Sequence, residues 1–166
     1  MKDWVIDTNV LLVADNQHPD IDPECVTTCI HRLREIEKGG RVVVDDQYRI
    51  LGEYENKLSY RGCKGVGAVF LKNLLRNQIK RLAVPLEEGT ERGFRNFPPD
   101  KELSNFDPSD RKFVAVALAC RGKPPILQAT DSKWPDWEPA LRRHGVTVEF
   151  LCPDEIHRFR VAKGAS

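Results

Sequence analysis

The segment Trp4-Val5-Ile6-Asp7 is an apolar run that ends in an acidic residue, and two later segments repeat this pattern. They are Val42-Val43-Val44-Asp45-Asp46 and Ile126-Leu127-Gln128-Ala129-Thr130-Asp131. Each apolar run is typical of a short buried strand in a parallel sheet, whose strands all end at the same edge. Because α/β proteins bind ligands at that edge, the pattern predicts a cluster of carboxylates there. A divalent cation stabilises carboxylates that would otherwise repel one another, so the cluster predicts a metal site with oxygen ligands.

Helical patterns alternate with these strands. Apolar residues recur at helical spacing in the segments 10–14, 23–38, 47–58, 66–82 and 136–144. A further helix starts at Pro108 and contains the apolar stretch 113–120, which indicates a helix buried in the domain centre. The segment 146–151 is predicted to be the last strand, 83–106 a long connection, and the end of the chain a short tail. This alternation predicts one α/β domain over residues 1–166, a three-layer α/β/α sandwich around a mainly parallel central sheet.

The composition narrows the class of protein. With 166 residues, of which 40% are apolar and 31% charged, the chain is expected to fold as one globular domain. Its formal net charge of +1 gives no global attraction for nucleic acid, so binding of a polyanion would depend on local basic patches. The five cysteines are scattered and odd in number, which favours free thiols in a reducing, cytoplasmic compartment. We expect neither a signal peptide nor a membrane span, because no 18 consecutive residues are apolar.

Asp7 and Asp110 each have a structural explanation beside the functional one. Asp7 precedes Thr8 and Asn9, so it either caps the following helix or presents its carboxylate at the sheet edge. Asp110 ends the segment Asp107-Pro108-Ser109-Asp110, in which Asp107 is the N-cap and the proline takes the first helical position. The helix dipole stabilises an acid in the first turn, so Asp110 gains functional weight only from the other acids.

Glu53 and Asp131 are weaker candidates when each is taken alone. Glu53 follows Asp46 by seven residues and therefore shares its helical face, which could be an ordinary solvated surface. Asp131 ends the third apolar run, where a turn or cap residue is the structural alternative.

Together, the four acidic positions resemble those of a PIN-domain nuclease, and the resemblance covers nearly the whole chain. The matching segments are Val5-Ile6-Asp7-Thr8-Asn9, a mid-chain Glu53 on a helix, the stretch from Asp107 to Ala117, and Leu127-Gln128-Ala129-Thr130-Asp131. The resemblance implies that Asp7, Glu53, Asp110 and Asp131 are catalytic and bind one or two Mg2+ or Mn2+ ions, with Thr8 or Asn9 in support. Glu55 and Asp46 remain alternatives to Glu53, and Asp136 could act in place of Asp131 or beside it.

The resemblance also implies a reaction. Hydrolysis of a phosphodiester needs a nucleophilic water and neutralisation of charge on the phosphate, both of which carboxylate-bound metal ions supply. We therefore expect a metal-dependent endoribonuclease acting on single-stranded RNA, in particular the toxin of a bacterial toxin–antitoxin pair, with an antitoxin protein as partner. The alternatives are a PIN nuclease in RNA processing or defence, and a catalytically silent PIN fold that binds RNA or a protein.

Basic residues suggest a path for the RNA. Lys72, Arg76 and Lys80 recur every four residues on the helix predicted over 66–82 and could contact phosphates, although a solvated face explains them too. Arg111 and Lys112 follow Asp110 directly, where they could contact the substrate or pair with neighbouring acids.

The apolar residues of the same predicted helix suggest self-association. Their surface is wider than one packing stripe requires, so we expect a homodimer that covers the surplus. Trp134 and Trp137 could stack a base at the site, with packing as the alternative.

Other motifs do not support a competing function. The glycines at 62, 65 and 67 do not follow a strand, which disfavours a dinucleotide site or a P-loop. Asp7-Thr8-Asn9 lacks a second aspartate two positions on, which disfavours a phosphatase with an aspartyl nucleophile. Cys25 and Cys29 lie on one helix face and could meet a metal, but no partner pair has the spacing of a zinc site, so core packing is favoured.

Overall fold

A computed structural model describes residues 1–16, 20–89 and 91–164 of the chain. The strands are β1 (Lys2–Ile6), β2 (Gly40–Asp45), β3 (Lys80–Val84), β4 (Ile126–Gln128) and β5 (Val148–Phe150). The helices are α1 (Thr8–Ala14), α2 (Pro23–Gly39), α3 (Arg49–Tyr60), α4 (Val66–Leu75), α5 (Arg111–Ala119), α6 (Trp134–Arg143) and α7 (Pro153–Ala162). Short 3-10 turns cover Lys101–Leu103 and Pro108–Asp110.

The five strands form one parallel sheet in the order β3-β2-β1-β4-β5. The chain moves outwards from β1 to β3, then returns across the sheet to β4 on the other side of β1. The direction of winding therefore reverses between β1 and β4, which is the position where open α/β sheets bind ligands. The predicted α/β/α sandwich with a parallel central sheet is confirmed.

Helices cover both faces of the sheet. The predicted central helix is α5, whose residues from Phe113 to Ala117 are all buried and which packs against β1, β2 and β4. Helix α1 packs against α2, α3 and α4. The contact between α1 and α4 is close at Gly67, where a Cβ atom would lie 2.1 Å from the carbonyl oxygen of Leu11.

The helix predicted over 66–82 is wrong in its second half. Helix α4 ends at Leu75, and Lys80 begins strand β3, which the sequence analysis did not predict. The chain turns at Asn77, which has a φ of 59°, a left-handed conformation that asparagine tolerates better than most residues. Ile79 is buried just before β3 and keeps the apolar spacing of the preceding helix. The sequence pattern therefore resembled that of one longer helix.

The predicted short tail is also wrong, because residues Pro153–Ala162 form helix α7. Its start carries ordinary helix signals, with Pro153 at the first position and acidic residues in the first turn. Over 83–89 and 91–106, the described part of the predicted long connection, the chain is mostly irregular after β3 ends at Val84, and it contains one short 3-10 turn.

Cysteines tie α7 to the rest of the molecule. Cys25 in α2 and Cys152 at the start of α7 form a disulfide bond, whereas the sequence favoured free thiols. Cys29, Cys63 and Cys120 are free. None of the described helices combines the length and apolar character needed to cross a membrane.

Candidate metal centre

Asp7 and Asp131 stand at the point where the winding reverses. Asp7 directly follows β1, and its carboxylate accepts a hydrogen bond from the backbone N–H of Asn9 at 2.9 Å, so it also caps α1. Asp131 lies three residues after β4 and accepts a hydrogen bond from the backbone N–H of Lys133 at 2.9 Å. The parallel pairing of β1 with β4 brings these two chain segments to one edge.

Asp110 reaches the same edge from the start of α5. The cap predicted for Asp107 is confirmed, because its carboxylate accepts a hydrogen bond from the backbone N–H of Ser109 at 3.0 Å. Asp110 makes no capping bond itself. The turn therefore positions the buried carboxylate of Asp110 without using its oxygens in a capping hydrogen bond.

Glu53 approaches from α3 and is held by neighbouring polar groups. The hydroxyl of Thr8 donates a hydrogen bond to its carboxylate, and the Nζ atom of Lys112 lies 2.7 Å from Oε1. Lys57 lies one turn further along α3, with Nζ 3.7 Å from Oε2. Thr8 thus contacts one of the four predicted acids directly.

The alternative acids have other partners. Glu55 accepts a hydrogen bond from the hydroxyl of Tyr48, Asp46 is exposed, and Asp136 forms an ion pair with Arg160 at 2.9 Å. Asp45, the acid that ends β2, accepts hydrogen bonds from three backbone N–H groups at the start of α3. Burial would raise the pKa of Asp45, but these bonds outweigh it and lower the pKa.

The four predicted acids interact electrostatically. Burial raises the pKa of Asp7 well above its ordinary range, and the negative charges of Asp110, Glu53 and Asp131 raise it further. Burial also raises the pKa of Asp110 to about 6, with contributions from Asp107, Asp131 and Glu53. Both carboxyls are thus destabilised as anions, which is the condition that a bound cation would relieve.

The acids do not form a tight group of ligand atoms. Across residues 1–16, 20–89 and 91–164, the one group of three or more Asp, Glu, His or Cys ligand atoms within 4.8 Å of one another is formed by cysteines. Mg2+ retains several waters and takes few direct carboxylate ligands, so an open arrangement of oxygen donors suits it. The donor chemistry therefore fits a hydrated Mg2+ or Mn2+ ion.

Two residues that the sequence analysis missed help to position the site. The side-chain oxygen of the buried Gln128 accepts hydrogen bonds from the Asn9 amide and, at 3.2 Å, from the backbone N–H of Asp131. Tyr54 donates a hydrogen bond from its hydroxyl to the carbonyl oxygen of Ile6 at 2.5 Å. A polar Gln128 inside a short buried strand was the available signal for the first of them.

Residues predicted to contact the substrate have varied surroundings. Arg111 donates hydrogen bonds to the carbonyl oxygens of Phe106, Arg92 and Ser104, so it holds the connection ahead of α5. Lys112 pairs with Glu53, which is the alternative left open for it. Trp134 and Trp137 are buried against Phe106, with ring centroids 5.1 and 4.5 Å away, so both pack in the core.

Lys72, Arg76 and Lys80 do not form one helical stripe. Lys72 is in α4, Arg76 follows its last residue, and Lys80 starts β3. The first residue of a parallel strand lies at the edge opposite to the strand ends, so Lys80 lies across the sheet from Asp7.

Two cavities lie near the site, one lined by Asp131 and the other by Lys57, the ion-pair partner of Glu53. One, of about 300 Å3, is lined by Asn9, Thr130, Asp131, Ser132, Phe159 and Lys163. The other, of about 490 Å3, is lined by Leu12, Asn56, Lys57, Tyr60 and Arg61. Each combines at least one aromatic ring with at least one basic side chain.

The raised pKa of Asp110 predicts how metal-free stability depends on pH. The folded state binds this proton more tightly than the unfolded state, so the stabilisation is complete below the ordinary pKa of 3.8 and is lost as pH rises through about 6. The difference between the folded and unfolded pKa of Asp110 corresponds to at most about 3 kcal/mol in the free energy of unfolding. We expect urea unfolding in chelator to show lower stability at pH 8 than at pH 5. Asp110→Asn should flatten this dependence, and an equal slope in the variant would contradict the assignment.

Comparison of the chain with family models, with curated proteins and with solved structures finds no match.

Proposed function

We propose that this protein is a metal-dependent endoribonuclease of the PIN-like kind, which hydrolyses phosphodiester bonds of single-stranded RNA. The observation that carries the proposal is the electrostatic cluster of Asp7, Glu53, Asp110 and Asp131 at the point where the sheet reverses its winding. These acids come from four separate parts of the chain, and burial together with their mutual repulsion raises the pKa of Asp7 and of Asp110, which a bound cation would offset.

The site residues divide into those that hold the cation and those that position them. Asp7 and Asp110 are the principal ligands, since both are buried and held at the sheet edge. Glu53 and Asp131 complete the pocket or orient water. Bound Mg2+ or Mn2+ supplies the charge that activates the water and stabilises the phosphate. Lys112 balances the charge of Glu53, and Gln128 fixes Asn9 relative to Asp131.

The biological role proposed is that of a cytoplasmic toxin controlled by an antitoxin protein. A nuclease of RNA processing or defence would use the same site, and a small antitoxin-like reading frame beside the gene would distinguish the two. The homodimer stays a prediction without its original support, because the helix that carried the surplus apolar surface ends at Leu75.

Cleavage of a labelled single-stranded RNA tests the enzymatic proposal. We expect activity with Mg2+ or Mn2+ and none in excess chelator, with recovery when the metal is restored. Robust cleavage in chelator would overturn metal dependence. Tight RNA binding with no cleavage under any metal would favour the silent, RNA-binding alternative.

The cavity beside α3 suggests a different RNA path from the one predicted. Tyr60 is 89% exposed, and Lys57 and Arg61 flank it on the same helix end. An exposed ring between two cations is suited to stack a base while the cations contact phosphates. We infer that single-stranded RNA enters the site along this end of α3.

Salt dependence of RNA binding in chelator distinguishes the two paths. Combined Lys57→Ala and Arg61→Ala should reduce the slope of log affinity against log salt by about 1.4, since each single-strand phosphate contact contributes about 0.7. The matched variant Lys72→Ala with Lys80→Ala should leave the slope unchanged. The reverse result would restore the path first predicted for Lys72 and Lys80.

A further inference from the structure

A second cluster of potential ligands lies among residues that play no part in the carboxylate centre. Cys25, Cys29 and Cys152 are all buried, and their sulfur atoms lie within 4.8 Å of one another. Cys25 and Cys29 are four residues apart in α2 and so share one helix face. Cys152 arrives from the start of α7, 127 residues after its disulfide partner. The fold thus supplies the third cysteine that the sequence spacing could not reveal.

In the disulfide-bonded structure, Cys29 takes no part in the disulfide. Cys25 and Cys152 form the disulfide, and Cys29 stays free beside them. Burial raises the pKa of the Cys29 thiol to about 12. The disulfide and the third thiol lie side by side in the structure.

A cavity of about 190 Å3 opens over the disulfide and provides an entry route. Its walls include Cys25 and Cys152, together with the acidic residues Asp22, Glu24, Asp154 and Glu155, of which Glu155 forms an ion pair with Arg158. Several carboxylates around one opening create a negative potential that attracts cations. Cys25 and Cys152 line this cavity, whereas Cys29 is not among its lining residues.

We propose that Cys25, Cys29 and Cys152 form a zinc site when the disulfide is reduced, with the fourth coordination position facing the acidic cavity. Thiolate ligands select Zn2+ over the hard Mg2+ and Mn2+ ions of the carboxylate centre. Zinc–sulfur bonds of about 2.3 Å in a tetrahedron place the sulfur atoms about 3.8 Å apart, and the three sulfur atoms here already lie within 4.8 Å of one another. Water or a carboxylate of the cavity wall fills the fourth position.

A dithiol can act as the reductant that cleaves the disulfide and makes the three cysteines available to zinc. The dithiol transfers two electrons and two protons to the Cys25–Cys152 disulfide and becomes a disulfide itself. Zn2+ then replaces the protons of all three thiols, which pass to solvent. Because Cys25 and Cys152 cannot be both disulfide-bonded and metal-bound, the two states exclude each other. Each state ties α2 to the start of α7.

Titration with Cd2+, a spectroscopic probe for thiolate sites, tests the proposal. After reduction with a phosphine and removal of metals, the protein should bind one equivalent of Cd2+ with thiolate-to-metal charge-transfer absorption, and Zn2+ should displace it. The untreated, disulfide-bonded protein should show no such band. Cys29→Ala keeps the disulfide but removes one ligand, so the reduced variant should bind at least about 100-fold more weakly. Cys63→Ala, at a free cysteine outside the cluster, should bind as the wild type does.

Alkylation provides a readout that does not depend on the variants. Zn2+ should protect Cys25 and Cys152 of the reduced protein, which line the cavity, from iodoacetamide, while Cys63 is labelled, as mass spectrometry would show. Circular dichroism checks that the reduced chain keeps its fold with the metal bound. Absence of a stoichiometric Cd2+ band, or equal labelling of all the cysteines with and without Zn2+, would overturn the zinc site. Neither outcome bears on RNA cleavage, because no residue is shared between the two centres.

Discussion

Replacing Asp7 or Asp110 with asparagine is expected to lower the rate of metal-dependent RNA cleavage by more than about 100-fold. Loss of a residue that only supports metal ligands costs about 10- to 100-fold, so loss of a principal ligand should cost more. Asparagine keeps the size of the side chain and an oxygen that can still accept the hydrogen bond from Asn9 at position 7. The change therefore removes charge while preserving the cap of α1.

The folded state of these variants provides a check on the interpretation. Because Asp7 and Asp110 repel each other and Glu53, removing one charge should leave metal-free stability unchanged or higher at pH 8. Asp46→Asn is the matched control, since Asp46 is exposed and follows a strand without joining the cluster. Rates from single-turnover cleavage and urea unfolding curves measured on the same preparations decide the matter. A stable Asp7→Asn protein with wild-type activity would contradict the proposed ligand role.

Gly67→Ala is expected to cause the largest loss of stability among single conservative substitutions in this protein. The new Cβ atom would lie 2.1 Å from the carbonyl oxygen of Leu11, and a backbone atom cannot move aside as a flexible side chain would. Overpacking of this kind costs about 3 kcal/mol. For a domain of this size, such a loss lowers the melting temperature by about 6 to 12 °C. Helix α1 begins with Thr8, so a displaced α1 should also weaken the catalytic site.

Gly52→Ala is the matched control for this prediction. Gly52 lies inside α3, where its Cβ would meet only the ring of Tyr48 at an ordinary 3.6 Å. Alanine is favoured over glycine in a helix interior, so this variant should gain about 0.5 to 1 kcal/mol. Thermal and urea unfolding of the two variants would show shifts of opposite sign. A Gly67→Ala protein as stable as the wild type would mean that α1 and α4 can separate without cost.

Much of the fold was predictable because its signals are local. Apolar runs that end in acids identified β1, β2 and β4, and the all-apolar stretch that starts at Phe113 identified the central helix. The end of α4 was missed because Ile79 continued the helical spacing, although it is buried as part of the path into β3. Periodicity cannot separate two elements whose apolar positions happen to stay in phase.

In the candidate site too, residues that have a local sequence signal were predicted, whereas contacts between residues far apart in the sequence were not. Asp7, Asp110 and Asp131 were identified from their positions at the ends of strands and at a helix start, and they interact electrostatically in the structure. The contact of Gln128 with Asn9 joins residues 119 positions apart, and only the pairing of β1 with β4 creates it. The disulfide joins Cys25 and Cys152, which are 127 positions apart, and the spacing of the cysteines in the sequence does not indicate this pairing.

That disulfide closes a covalent ring that runs from residue 25 to residue 152, and the chain continues outside the ring before residue 25 and after residue 152. A protease that cuts the irregular connection between β3 and α5 would open the ring without releasing either piece. The two fragments would migrate together until a reductant separates them. The tail that follows the ring is helix α7, and the Nζ atom of Lys163, just beyond its end, lies 3.0 Å from the hydroxyl of Ser132, next to Asp131. The anchored end of the ring therefore keeps the last helix beside the carboxylate centre even in a nicked chain.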